Sequence, residues 1–222
     1  MIDNLTEYNT LGLNNDDLIH FALNVEKTRD FSTRFNGIDI GMSSGTSGNK
    51  GIVITTKEEE NYIKAMYASR LVLPIGEKLN CAFILRVSTP AFNYNRSGNK
   101  LTYINQLQPI EKIIEQFEKL IPNVVSAPPS MLKILAAELL KRRLKISPKL
   151  LYSYTEVLYP EVKEYLEKNF KCKVHEIYQG SEGCYALTCR HGNLILMRIW
   201  SFLNSLMIGD CQQKTMSHVI NY

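Results

Sequence analysis

The chain has no run of about 18 apolar residues, the length a helix needs to cross a bilayer. Its nearest stretch, Leu194 to Ile208, is short and is interrupted by Arg198 and Asn204. That excludes an ordinary membrane-spanning helix and argues against a membrane partner. A strong charge of either sign is also lacking: 26 Lys and Arg stand against 22 Asp and Glu, for a net +4. A surplus that small, spread along the chain, speaks against nucleic acid as a partner. Met1-Ile2-Asp3-Asn4 has neither the basic nor the apolar region of a secretory signal. The five cysteines, Cys81, Cys172, Cys184, Cys189 and Cys211, are odd in number. Together these features imply a reduced, cytoplasmic protein with free thiols. No Walker loop of the form G-x-x-x-x-G-K-[ST] occurs, and no G-x-S-x-G nucleophile turn. What is present is ordinary: 45% hydrophobic and 22% charged residues exclude a disordered chain and a bare disulfide scaffold.

Helical and extended patterns alternate along the sequence. Asn15-Asp16-Asp17 offers a helix start, and Leu18, Phe21, Ala22 and Val25 follow at helical spacing. Ile38 and Ile40, then Ile52 to Thr55, read as short strands on either side of a Gly/Ser/Thr run, Gly41 to Gly51. Residues 57–73 read as a helix with Tyr62, Met66 and Leu71 on its inner face. Cys81 to Leu85 reads as a buried strand, and Ser88 to Lys100 as a polar loop able to cover a site. Helices follow at Ile110 to Leu120, Ser130 to Arg143 and Pro160 to Phe170. Strands are expected at Asn123 to Ala127, Leu150 to Tyr154 and Val174 to Tyr178. Strands alternating with helices of this length imply an α/β fold with a mixed, largely parallel sheet flanked by helices.

The sharpest feature is Ser43-Ser44-Gly45-Thr46-Ser47-Gly48-Asn49-Lys50-Gly51. Its glycines let main-chain N–H groups approach an anion closely. Ser43, Ser44, Thr46 and Ser47 add hydroxyls, and Lys50 adds a positive charge. Such a set suits a polyphosphate, whose oxygens accept many hydrogen bonds. The same composition also suits a plain surface loop.

The string resembles the phosphate-binding signature of the adenylate-forming (ANL) superfamily, roughly [ST]-S-G-T-[ST]-G-x-x-K-G. Lys50 stands one residue earlier than the commonest lysine position. Tyr178-Gln179-Gly180-Ser181-Glu182 resembles a second signature, Y-G-x-T-E, with Gln179 at a glycine position and Ser181 for threonine. The resemblance implies that Tyr178 stacks on adenine, Ser181 bonds phosphate and Glu182 holds Mg²⁺ against the nucleotide. Ser153 to Leu158 is similar to the G-G-E-P-L segment that walls the nucleotide pocket. Both glycines are replaced, so Glu156 and Leu158 alone carry over. Ala127-Pro128-Pro129-Ser130 resembles a strand-to-helix turn of these enzymes, and equally reads as a proline turn with Ser130 as an N-cap.

With A-P-P-S-M-L, E-V-L, Y-Q-x-x-E-G and T-C-x-H-G, the combination looks like the phenylacetate-CoA ligase-like branch. More narrowly, it resembles relatives of the synthetase that adenylates a deazaflavin coenzyme. The resemblance implies an ATP-dependent ligase that activates a small-molecule acid or coenzyme substrate, with ATP and Mg²⁺ as cofactors and coenzyme A as a candidate acceptor. Its implied catalytic residues are Lys50 and Glu182. Its implied nucleotide-binding residues are Ser43, Ser44, Gly45, Thr46, Ser47, Gly48, Glu156, Tyr178, Gln179 and Ser181. Two other readings stand beside it: a nucleotide-binding module without catalysis, and an unrelated α/β binding domain.

Cys184, Cys189 and His191 form C-x₄-C-x-H, which is not a standard zinc spacing and lacks an evident fourth ligand. Buried thiols are the simpler reading, and zinc is not expected. The resemblance spans residues 1–196, as part of a large N-terminal adenylation domain. The family's later ribose-binding aspartate and small C-terminal lid domain with its catalytic lysine have no counterpart here. Residues 197–222 are atypical, with the only Trp and a single acid, Asp210. The codons AAT GAG GAT ATG GTC ATT TTT would encode the expected Asn-Glu-Asp-Met-Val-Ile-Phe. Read one base later, the same string gives Met-Arg-Ile-Trp-Ser-Phe, which is Met197 to Phe202. This fit raises the hypothesis that the reading frame shifts near Leu196 and that the tail is not family sequence. Translating the gene in its other frames is expected to reveal a family-like continuation, and finding none there removes the frame shift.

Overall fold

The computed structural model describes residues 11–42, 51–74, 76–88, 94–180 and 183–197. The first helix, α1 (Asn15–Thr28), begins at Asn14, whose side chain accepts from the N–H groups of Asp16 and Asp17. The cap is thus one residue earlier than the sequence pattern suggests, and it satisfies donors that the helix itself leaves unpaired. Strands β1 (Asp39–Met42) and β2 (Ile52–Thr55) pair antiparallel as a hairpin, with Met42 opposite Ile52. Leu18, Ala22 and Ile40 form a small core between α1 and this hairpin, with Ile38, Met42, Ile52 and Ile54 against it.

Helix α2 (Lys57–Arg70) follows at once, opened by a reciprocal capping box between Thr56 and Glu59. The main sheet comes next: β3 (Asn80–Leu85), β4 (Tyr94–Arg96), β5 (Asn99–Asn105), β6 (Val124–Ala127), β7 (Leu150–Tyr154), β8 (Lys173–Gly180), β9 (Gly183–Thr188) and β10 (Leu194–Leu196). Helices α3 (Ile110–Leu120), α4 (Pro129–Leu140) and α5 (Pro160–Phe170) lie between them. The strand order is β10-β9-β8-β7-β6-β3-β5-β4. Neighbours from β8 through β5 pair parallel, and β4, β9 and β10 add antiparallel edges. The sheet is mixed and mostly parallel, flanked by helices, as the sequence implies.

Every residue of β6 and β7 is buried, so these central strands show no polar alternation. One face packs Ala82, Ile84, Val125, Ala127, Leu151 and Val174 against Phe117, Leu132, Leu135, Leu166 and Phe170 of α3, α4 and α5. The other face carries Cys81, Val124, Leu150 and Tyr152. There Met66, Tyr67 and Leu71, from α2 and the residue after it, close over Ile177, Cys184, Leu187 and Met197. Two tyrosines tie this face down: the Tyr152 hydroxyl donates to the Val72 carbonyl at 2.7 Å, and the Tyr154 hydroxyl donates to the Ile84 carbonyl. Among the described residues no helix is long and apolar enough to cross a membrane.

Four local readings need correction. Ser88 to Lys100 is not loop throughout, because β4 and the start of β5 lie within it. β5 has buried or half-buried residues on both faces, which hides its period. Strands β9 and β10 carry no signal in the pattern along the chain. Tyr62 is exposed rather than inward, and the buried residue of α2 is the charged Glu60. Helix α4 begins at Pro129, so Ser130 sits in its first turn and is not the N-cap.

Glu60 survives burial because three cations surround it. Arg34 donates at 3.1 Å and Lys57 at 2.8 Å to one oxygen, and Lys64 meets the other. Burial pushes its pKa up, but the hydrogen bonds from Lys57, Lys64 and Arg34 outweigh that and hold it at about 2. Arg34 also reaches the buried Asp39 of β1 through its Nε at 3.2 Å. Asp39 is held above its ordinary value by burial, against the pull of Arg34. Arg34 therefore joins the hairpin to α2. Because the folded value of Glu60 lies below the unfolded one, its contribution is present above about pH 4.5 and is lost as pH falls toward 2. Glu60→Gln is expected to destabilise the fold at pH 7 by about 2–3 kcal/mol. The deficit should shrink when denaturant titrations are repeated at pH 3, and a deficit constant with pH would count against this account.

Candidate functional site

Parallel strands in such a sheet end together, and ligands in open α/β sheets bind beyond those carboxyl ends. Three of the family-like segments lie there: Pro128 after β6, Thr155-Glu156 after β7, and the end of β8 at Gly180. The glycine–hydroxyl string joins β1 to β2, so the strand–loop–strand reading is correct. Ser43, Ser44, Gly45, Thr46, Ser47, Gly48 and Lys50 lie outside the described residues, as do Ser181 and Glu182.

At the end of β7 the chain turns through Thr155 with φ of 66°. That left-handed conformation is costly for a β-branched residue and is where glycine would be at ease. The turn delivers Glu156 to the start of α4. Its carboxylate accepts from the Ser130 N–H at 3.0 Å and from the Ser130 hydroxyl at 2.7 Å. Proline at the first position of α4 leaves Ser130 with the first free N–H, and no side chain at the N-cap satisfies it. Glu156 fills that role from the neighbouring strand and pins the ends of β6 and β7 together. A carboxylate there also complements the positive end of the helix dipole.

At the end of β8, Gly180 pairs with Gly183, and Ser181 and Glu182 connect them. The register shifts between Tyr178 and Gln179, where Tyr185 is the extra residue of a bulge. The ring of Tyr178 is exposed by 39% and lies 5.3 Å from that of Tyr185. Gln179 points to the opposite face, where the buried Tyr67 hydroxyl donates to its Oε1. Burial raises the Tyr67 hydroxyl well above its ordinary range, with Cys184 adding to the shift, so it stays a donor. Two further groups on β8 are perturbed: burial raises the Glu176 carboxyl against the pull of Lys163, and burial together with Lys163 lowers His175.

The structure thus gathers Glu156, Tyr178 and Gln179 on one rim, with two of them committed to internal bonds. Tyr67 and the Ser130–Glu156 clamp escape sequence reading. Tyr67 does have a signal, since Ile63, Tyr67 and Leu71 recur at helical spacing. The clamp has none, because its partners are 26 residues apart. Cys184 is buried, Cys189 half-buried and His191 exposed. Among the described residues no three His, Cys, Asp or Glu side chains are placed to hold a metal ion.

No family model and no curated protein matches the chain. Solved structures do. An open conformation of 2-hydroxyisobutyryl-CoA ligase in complex with 2-HIB-AMP and CoA is similar at 12% identity and a TM-score of 0.59, over 81% of this chain and 46% of that one. The anthranilate CoA ligase AuaEII in complex with anthranoyl-AMP is similar at 12% identity and a TM-score of 0.52, over 69% and 32%. The amide bond synthetase McbA from Marinactinospora thermotolerans is similar at 16% identity and a TM-score of 0.50, over 69% and 32%. The chain has the fold of part of these adenylate-forming enzymes. It spans less than half the length of each.

Thr155→Gly tests the turn. It relieves about 1–2 kcal/mol of left-handed strain and adds about 0.5–1 kcal/mol of unfolded-state freedom. A net gain of up to about 1 kcal/mol in denaturant unfolding is therefore expected, whereas a loss of stability would mean the threonine side chain is itself an anchor.

Proposed function

We propose that the chain is part of an ATP-dependent adenylate-forming ligase of the phenylacetate-CoA ligase-like branch. It activates a carboxylate, or a similar oxygen nucleophile, as its adenylate. One observation supports the reading: in the sequence, one signature-like string lies between β1 and β2 and the other runs from the end of β8 to the start of β9, in a fold shared with part of adenylate-forming ligases.

In the proposed reaction a carboxylate oxygen attacks the α-phosphorus of ATP. The bond from that phosphorus to the bridging oxygen breaks, and pyrophosphate leaves with the electron pair. The acyl group then passes to the thiol of coenzyme A, and AMP departs. Positioning and charge stabilisation supply most of the rate in such a transfer. Ser43, Ser44, Thr46 and Ser47 would donate hydroxyls to the departing phosphates, with the amides of Gly45 and Gly48, and Lys50 would offset their charge. Ser181 would bond a phosphate oxygen, and Glu182 would supply a hard oxygen ligand to Mg²⁺. The half-exposed ring of Tyr178 is available to stack on a base. Glu156 fits a supporting role better than a direct one, because both its oxygens are engaged by Ser130. The acid substrate approaches the same rim of strand ends.

A nucleotide-binding module without turnover is the second reading; one measurement separates the two, and another tests the nucleotide site against an unrelated α/β binding domain. ATP–pyrophosphate exchange with a panel of acids should appear only if the chain catalyses adenylation. Calorimetry should show Mg·ATP binding that Lys50→Ala and Glu182→Ala each weaken by about tenfold, the usual scale for losing a charge-assisted contact. Equal binding by all three proteins would remove the assigned site.

A further inference from the structure

The resembling motif has glycine where this chain has Gln179, and the structure gives that glutamine a partner. Its Oε1 accepts from the Tyr67 hydroxyl, which rises from α2 on the face of the sheet opposite Tyr178. Tyr67 packs with Met66 and Leu71 against Ile177, Cys184 and Leu187, so the donor's ring is held in a hydrophobic cluster. Gln179 is the residue at which the β8–β9 register shifts. A bulge increases local twist and re-aims the side chains beside it. Successive side chains of a strand point to opposite faces, so the backbone that carries Gln179 on one face carries Tyr178 on the other. The Tyr67–Gln179 bond lies on one side of this strand end, and the Tyr178 ring lies against Tyr185.

We infer that Tyr67 is a positioning residue: through Gln179 it sets the Tyr178 ring as a platform for the base of the bound nucleotide. This rests on the nucleotide reading above. It assigns Tyr67 and Gln179 to the nucleoside end of the ligand and not to the phosphates. A stacking platform works only when its plane is fixed before the base arrives, since ordering it on binding would consume part of the gain.

The test separates the two ends of the ligand by calorimetry on the full chain, with adenosine 5′-monophosphate and inorganic pyrophosphate as probes. Tyr67→Phe keeps the ring in its cluster and removes only the hydroxyl. It should weaken monophosphate binding about five- to tenfold, part of what a full base stack contributes, and leave pyrophosphate binding unchanged. Gln179→Gly should reproduce that split, and Gln179→Glu, which keeps an acceptor oxygen, should restore most of the loss. Unchanged binding of both probes by Tyr67→Phe overturns the inference, and so does an equal loss for both, which marks Tyr67 as general packing. Wild-type protein that binds neither probe overturns the nucleotide reading itself, and this inference with it.

Discussion

The rest of the molecule depends on the burial of both faces of a parallel sheet. Strands β6 and β7 are apolar or small at nearly every position and are covered on each side. A parallel strand pair cannot be joined by a tight turn, so each link must cross over, through β4 between β3 and β5 and through a helix after β5, β6 and β7. That single requirement places α3, α4 and α5 against the sheet and returns every parallel strand in the same direction. All their carboxyl ends then meet along one rim. Fewer residues on that rim are buried than in the strands, because the chain must reverse there: Ser130, Thr155 and Glu156 are exposed. Polar and conformationally unusual residues collect at the rim for that reason, before any ligand is considered.

The α1–hairpin unit is attached by different means. Its small core is separate from those of the sheet. Arg34 carries part of the connection, reaching Asp39 within the unit and Glu60 on α2. A further link is Arg29, which stacks on Phe31 at 4.8 Å and donates to the Arg86 carbonyl. Charge, hydrogen bonds and one edge-on ring contact, Phe31 with Tyr103 of β5 at 6.3 Å, contribute to holding this unit where apolar burial holds the sheet. The charged and hydrogen-bonded contacts specify geometry well and weaken with acid or salt more than a packed core does.

Sequence reading recovers what is periodic. Helices α1, α3 and α5 follow from spacing, and strands β6 and β7 from short, mostly apolar runs with proline and asparagine punctuation. It fails where a strand is neither such a run nor cleanly alternating, as in the half-buried β5. It fails also where the inward residue of a helix is charged, as with Glu60. The edge strands β9 and β10 have too little pattern to register. At the candidate site the strings themselves are legible, and so is the hairpin that bears the first one. Long-range partners are not: nothing local to Glu156 announces Ser130, and nothing local to Gln179 announces Tyr67.

The two departures from glycine in the family-like strings have different physical meanings. Thr155 sits at φ of 66°, so the backbone there still asks for glycine, and the threonine is strained. Gln179 lies in the extended strand β8, outside the positive-φ residues. There a side chain costs the backbone nothing and gains a hydrogen bond to Tyr67. One substitution preserves a shape against its own preference, and the other adds a contact the glycine could not make. A motif comparison scores both as mismatches of equal weight. Backbone angles divide them: Thr155 holds a left-handed turn that a β-branched residue would not adopt without constraint. Gln179 is evidence that the strand end is held by a different device. The rim is thus held by a strained turn after β7 and by a side-chain bond at the end of β8.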